Sequence, residues 1–140
     1  MIPIAQPLIG EEEQRAVYEV LESGMLASGD IVRAFEEEFG DYLGIEHCIT
    51  TTSGTTALEI ALRALGIGPG DKVLTTPFSF IASTNSIVYT GATPVFADIR
   101  SDTFNIDPEK IEEALQADSD IKALLIVHLF GQACNMDQII

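Results

Sequence analysis

The chain has 140 residues, 46% of them hydrophobic, which suffices for one core of ordinary size and excludes an intrinsically disordered protein. Seven basic against 22 acidic side chains leave a formal charge of −15, which repels nucleic-acid phosphates and anionic lipid and argues against both as partners. Cys48 and Cys134 are too few for a disulfide framework and lack metal-ligand spacing; with no signal-length or 18-residue apolar run, the chain reads as a cytoplasmic protein without a metal site.

After an extended, proline-punctuated start, Glu11 to Glu22 predicts a helix with Val17, Val20 and Leu21 on its inner stripe. The glycines of SGMLASGD break it. A second amphipathic helix then places Val32, Phe35, Phe39, Tyr42 and Leu43 on one stripe. From Cys48 the pattern changes to short apolar runs alternating with helices. CITT predicts a strand, residues 54–65 a helix, KVLTT a strand, and SFIASTNSIVYT a helix. VFAD predicts the next strand. IDPEKIEEAL predicts a helix capped by Asp107 with Pro108 in its first turn, and IKALLIVHLF one long strand buried on both faces. This alternation implies parallel pairing with right-handed crossovers, an α/β sandwich of three layers with a mainly parallel sheet. The expected division is a helical segment over 1–46 and an alternating strand–helix core over 47–140. The final NMDQII reads as a helix barely begun, so the chain is expected to be the N-terminal portion of a longer protein.

Ligands of parallel α/β sheets collect at the carboxyl ends of the strands, here Thr52–Thr56, Thr76–Phe80, Asp98–Asp102 and His128–Gln132. The first segment lies in TTSGTTALEIAL, where small hydroxyl residues and Gly54 open a helix. The unpaired amides of a helix N-terminus, with the hydroxyls of Ser53, Thr55 and Thr56, suit a phosphate; the same residues also suit a plain helix cap. The stretch lacks the lysine of a Walker loop and is not a GxGxxG fingerprint, so neither nucleotide motif applies. Phe78 and Phe80 can stack on a flat ligand or fill the core. His128 can line a site or serve structure, and Asp98 can bind or cap.

The stretch TTSGTTALEIALRALGIGPGDKVLTTPFSFIASTNSIVYTGATPVFADI, followed by HLFGQACNMD, resembles the N-terminal part of the DegT/DnrJ/StrS sugar aminotransferases, which are pyridoxal 5'-phosphate enzymes of fold type I. With PLIGEEE and VLESGMLASGD also similar to the family's usual start, the resemblance covers essentially all 140 residues. It implies a partial large domain of that fold, with the remainder of that domain and a small domain absent. Gly54, Thr55 and Thr56 would hold the cofactor phosphate, Phe80 would lie against the pyridine ring, and His128 would line the same pocket. The implied reaction moves an amino group from glutamate or glutamine to a keto group of a nucleotide-linked sugar, in a homodimer, as a step of polysaccharide biosynthesis. Some relatives instead dehydrate the sugar, and a non-catalytic binding or regulatory member is a further alternative. The catalytic lysine and the acid facing the pyridine nitrogen would lie beyond residue 140. Lys72 and Lys122 begin strands and Lys110 sits on a polar helix face, so the 140 residues alone are expected to be inactive.

Overall fold

The computed structural model describes residue 3 and residues 5–140, and divides into two units, Met1–Thr50 and Thr51–Ile140. In the first unit, α1 spans Glu11–Ser23 and α2 spans Asp30–Leu43. The free amide of Gly10 donates to the Glu13 carboxylate at 2.7 Å and closes the start of α1; Gly44, at φ 69°, ends α2 in the left-handed region that favours glycine. Gly40 is buried, and a β-carbon there would stand 3.0 Å from the carbonyl oxygen of Ile45, so the close approach requires glycine. The expected inner stripe of α1 is corrected: Val17 and Leu21 are each 60% exposed, and Val20 alone is half-buried. On α2, Phe35 stacks on Phe39 at 5.6 Å between ring centroids, yet both remain exposed. The apolar periodicity is real, but no described residue of this unit buries it.

Residues 48–51 form no strand, contrary to the expectation for CITT. The Thr50 amide and hydroxyl both donate to the Glu36 carboxylate, at 2.7 and 2.9 Å, so a side chain of α2 takes a bond that a neighbouring strand would otherwise supply.

The second unit is the α/β sandwich. Helix α3 (Gly54–Ala64) leads to β1 (Lys72–Thr75), α4 (Ala82–Thr90), β2 (Thr93–Phe96), α5 (Pro108–Ala117), β3 (Ile121–Leu124) and the short α6 (Met136–Ile139). The strands are parallel in the order β2-β1-β3. Val73 of β1 enters one cluster with Leu62 of α3, Ile87 of α4 and Leu125, while Leu74 faces the opposite cluster with Ile106, Ile111 of α5 and Cys134. That two-residue alternation makes three layers, with α3 and α4 on one face of the sheet and α5 and α6 on the other. The apolar run after Lys122 divides in the same way: Ala123, Leu125 and Val127 join the first cluster, and Leu124 and Ile126 the second.

The ladder of β3 nevertheless ends at Leu124, earlier than the ten-residue run predicts. The Leu125 amide still reaches the Leu74 carbonyl at 2.8 Å, and the buried Thr75 hydroxyl donates to the Leu125 carbonyl at 2.8 Å. Beyond that point β1 turns away through Pro77, which has no amide proton, and the run has no further strand partner among the described residues. Helix α4 likewise begins at Ala82, later than its apolar pattern, because residues 77–81 form a turn.

Two outcomes follow. Leu74→Ala should cost about 3 kcal/mol in urea unfolding, since the side chain is fully buried in the central strand. The Thr50 amide bond holds the Glu36 carboxyl below its ordinary value of 4.5, so its contribution is complete above that value and fades as pH falls through the lower folded one. The Thr50 amide should therefore lose hydrogen-exchange protection in acid, and Glu36→Ala should lose it already at neutral pH.

Candidate functional site

Right-handed crossovers explain where the second unit opens. The connection from β1 to β2 carries α4 over one face, and the connection from β2 back past β1 to β3 carries α5 over the other. The helix following β1 packs on the first face and the helix following β3 on the second. Adjacent strands whose continuations diverge leave a crevice between their carboxyl ends. A hollow of about 440 Å³ lies there, lined by Pro77, Phe78, Ser79, Phe80, Leu129 and Phe130.

Helix α3 packs beside α4 on the first face and reaches β1 through a short turn, so it runs back along the strand and its N-terminus lies at the same carboxyl edge. Ser53 is its cap: the Ser53 hydroxyl accepts the Thr56 amide at 3.2 Å and lies 3.0 Å from the Thr56 hydroxyl, which is 3.3 Å from that of Thr52. The Gly54 and Thr55 amides and the Thr55 hydroxyl have no hydrogen-bond partner among the described residues. A β-carbon at Gly54 would meet nothing within 4 Å, so the approach to these donors is open. Two free amides, a free hydroxyl and the positive end of an eleven-residue helix form a donor set that fits a phosphate. The cap takes the Thr56 amide, and the Gly54 and Thr55 amides of the same turn stay open to a ligand.

The two phenylalanines part company. Phe78 stacks on Phe104 at 5.8 Å between ring centroids and so serves packing; Phe80 is 78% exposed in the turn before α4, with its ring free. His128 stands at the carboxyl end of β3, where its Nδ1 accepts the Cys134 amide at 3.0 Å. It is exposed and flanks the hollow through Leu129 and Phe130 without lining it. Asp98 accepts the amide of its own neighbour Ile99 at 2.8 Å, a local turn bond. Nothing in the sequence singles out Phe130, which is 98% exposed with φ 51°, or the buried Asn105; periodicity marks neither an exposed residue in a left-handed turn nor a side chain bonded to a distant loop.

The three lysines lie elsewhere. Lys72 donates to Asp118 at 2.7 Å and its amine is pushed above the usual lysine value chiefly by that bond; Lys122 pairs with Asp71, whose carboxyl is held low by it. Both strands carry these pairs at their amino ends, opposite the hollow. Lys110 pairs with Glu113 on the surface of α5. Among the described residues no helix is long and apolar enough to cross a membrane.

The sequence profile of the DegT/DnrJ/EryC1/StrS aminotransferase family matches residues 7–140. The chain belongs to this family. It is 50% identical over 139 residues to the spore coat polysaccharide biosynthesis protein SpsC of Bacillus subtilis, covering 99% of this chain and 35% of that relative. It is 43% identical over 140 residues to the GDP-perosamine synthase of Caulobacter vibrioides, covering 99% of this chain and 37% of that protein. The crystal structure of NtdA from Bacillus subtilis with the cofactor PMP bound superposes with a TM-score of 0.83 at 40% identity, covering 90% of this chain and 28% of that one. The chain thus spans about a third of the length of these family members. The family resemblance and the fold expected from the sequence are both borne out.

The differing surroundings of the two aromatic rings predict a clean separation. Phe78→Ala should destabilise by about 1 kcal/mol in urea unfolding through loss of the Phe104 contact. Phe80→Ala should change stability by less than about 0.5 kcal/mol, because its ring is mostly in solvent.

Proposed function

We propose that this chain is the phosphate-holding and ring-holding part of a pyridoxal-phosphate-dependent aminotransferase. The whole enzyme passes an amino group from glutamate or glutamine to a keto group of a nucleotide-linked sugar, as a cytoplasmic homodimer. The observation that carries the reading is the pair of partnerless amides at Gly54 and Thr55, on the same sheet edge as the exposed Phe80 ring. It is supported by the family match, by a PMP-bound relative of the same fold, and by a relative named for GDP-perosamine synthesis.

When bound, the cofactor supplies an electron sink and carries the amino group between the two halves of the reaction. The residues of this chain bind and orient it. The Gly54 and Thr55 amides and the Thr55 and Thr56 hydroxyls hold the phosphate, aided by roughly half a positive charge at the start of α3. Phe80 offers its face to the ring and keeps water from that side; Phe78, stacked on Phe104, fixes the turn that carries it. His128 flanks the hollow, with a ring nitrogen that can donate toward it. None of Lys72, Lys110 and Lys122 reaches this edge, so the lysine that such chemistry needs comes from elsewhere in the protein, and the 140 residues alone are inactive. The exposed apolar residues of α1 and α2, Val17, Leu21 and Phe35 among them, offer surface for a dimer to cover.

The full-length protein should bind pyridoxal phosphate with visible absorbance that borohydride bleaches, and should form 2-oxoglutarate from glutamate when given a nucleotide-linked keto sugar. Thr55→Ala and Phe80→Ala should each weaken cofactor binding by about three- to tenfold. Unchanged affinity in both variants would remove the site assignment. Water loss from the sugar without amine transfer would indicate the dehydratase alternative, and cofactor binding without turnover the regulatory one.

A further inference from the structure

Asn105 is 3% exposed, yet it lies in the turn between β2 and α5 and takes no part in either element. Its side-chain oxygen accepts the Leu129 amide at 3.0 Å, and its side-chain nitrogen donates to the carbonyls of Gln132 and Ala133 at 3.0 and 3.2 Å. All three partners belong to the loop that leaves β3 at the hollow. The Asn105 main chain is itself fixed, because its carbonyl accepts the Arg100 amide at 2.9 Å and the next residue, Ile106, bridges to Ile99. A rigid turn therefore spends a whole buried amide on a loop more than twenty residues away in sequence.

That loop closes on His128. The Cys134 amide donates to His128 Nδ1, and the Cys134 thiol donates to the Val127 carbonyl at 3.2 Å. A backbone amide can donate only to a nitrogen lone pair, so neutral His128 is held as the tautomer with its proton on Nε2. The Asn105 bonds at 129, 132 and 133 brace the loop between the two ends of the His128–Cys134 contact. Phe130 sits inside the braced segment in the left-handed region, at φ 51°, and extends into solvent beside Phe80. An exposed aromatic residue has no intrinsic preference for that conformation; the loop imposes it.

We infer that Asn105 is a positioning residue of the candidate site: its buried amide braces residues 129–133 so that His128 is locked as a donor through Nε2 and Phe130 stands beside Phe80. The inference rests on the proposed cofactor site for its functional consequence, but the tautomer lock is a property of the ligand-free protein. Removing the amide leaves the Leu129 amide and the Gln132 and Ala133 carbonyls without these partners, which frees the loop and with it the His128 ring.

The test uses the full-length protein. Long-range proton–nitrogen spectra of its histidines, without cofactor, should show His128 as a single tautomer with the proton on Nε2, and Asn105→Ala should show a mixture. Pyridoxal phosphate titration should give at least about fivefold weaker binding for Asn105→Ala. A variant that retains the single tautomer, or binds the cofactor as the unaltered protein does, overturns the inference. If the unaltered protein binds no pyridoxal phosphate, the site reading fails, while the tautomer spectra still decide the lock. Should Asn105→Ala not fold, hydrogen exchange in the unaltered protein replaces it: the cofactor should slow the Leu129 and Cys134 amides together. Amides that ignore the cofactor overturn the inference.

Discussion

The double burial of β1 is the constraint on which the second unit depends. Val73 and Leu74 have no accessible surface and point into opposite clusters, so the strand must be covered on both faces and paired on both edges. Two parallel neighbours require two crossovers, and their common right-handedness sends α4 and α5 to opposite sides. The opening between the carboxyl ends of β1 and β3 is then a consequence of chain handedness and exists before any side chain is chosen to fill it. Thr75 shows how tightly that edge is tied: its buried hydroxyl bonds the Leu125 carbonyl just beyond the last ladder residue.

The electrostatics of the edge run against the charge of the chain. A protein at −15 is a poor general attractor of phosphate, and its lysines are tied to Asp71, Asp118, Asp120 and Glu113 away from the hollow. Arg63 is occupied by Glu59 and the Tyr89 carbonyl, and Arg100 by Asp102. An anion at α3 would be held instead by short-range donors and by the helix dipole. These act within hydrogen-bond distance, whereas repulsion from surface carboxylates is screened over about 8 Å at physiological salt. The cradle can therefore coexist with the acidic surface because the two operate at different ranges.

Much of the fold was legible because periodicity reports burial directly. Helices α1, α2, α3 and α5 lie where the spacing puts them, and Asp107 caps α5 by accepting the Glu109 amide, as its sequence predicts. The failures have specific causes. CITT has strand composition, but the Glu36 carboxylate captures Thr50. IKALLIVHLF has the burial of a long strand without the partner that would extend its ladder past Leu124. Val17 and Leu21 carry an amphipathic signal, yet both stay exposed among the described residues. At the candidate site, Gly54, Thr55, Thr56, Phe80 and His128 are all marked in the sequence by the carboxyl-edge rule and the family motifs. The separate fates of Phe78 and Phe80 could not, since only Phe104, folded back through a left-handed turn, distinguishes them.

By itself the sequence determined the layer architecture, the edge on which chemistry can occur, the family and the donor-rich opening of α3. Each of these follows from local pattern or from motifs contiguous in the chain. Only the tertiary structure decided that CITT forms no strand, which aromatic ring remains available, and how His128 is held. Those outcomes depend on bonds between residues far apart in sequence, Glu36 to Thr50, Phe78 to Phe104 and Asn105 to the loop after β3, and no local periodicity encodes a hydrogen bond or ring contact across such a span.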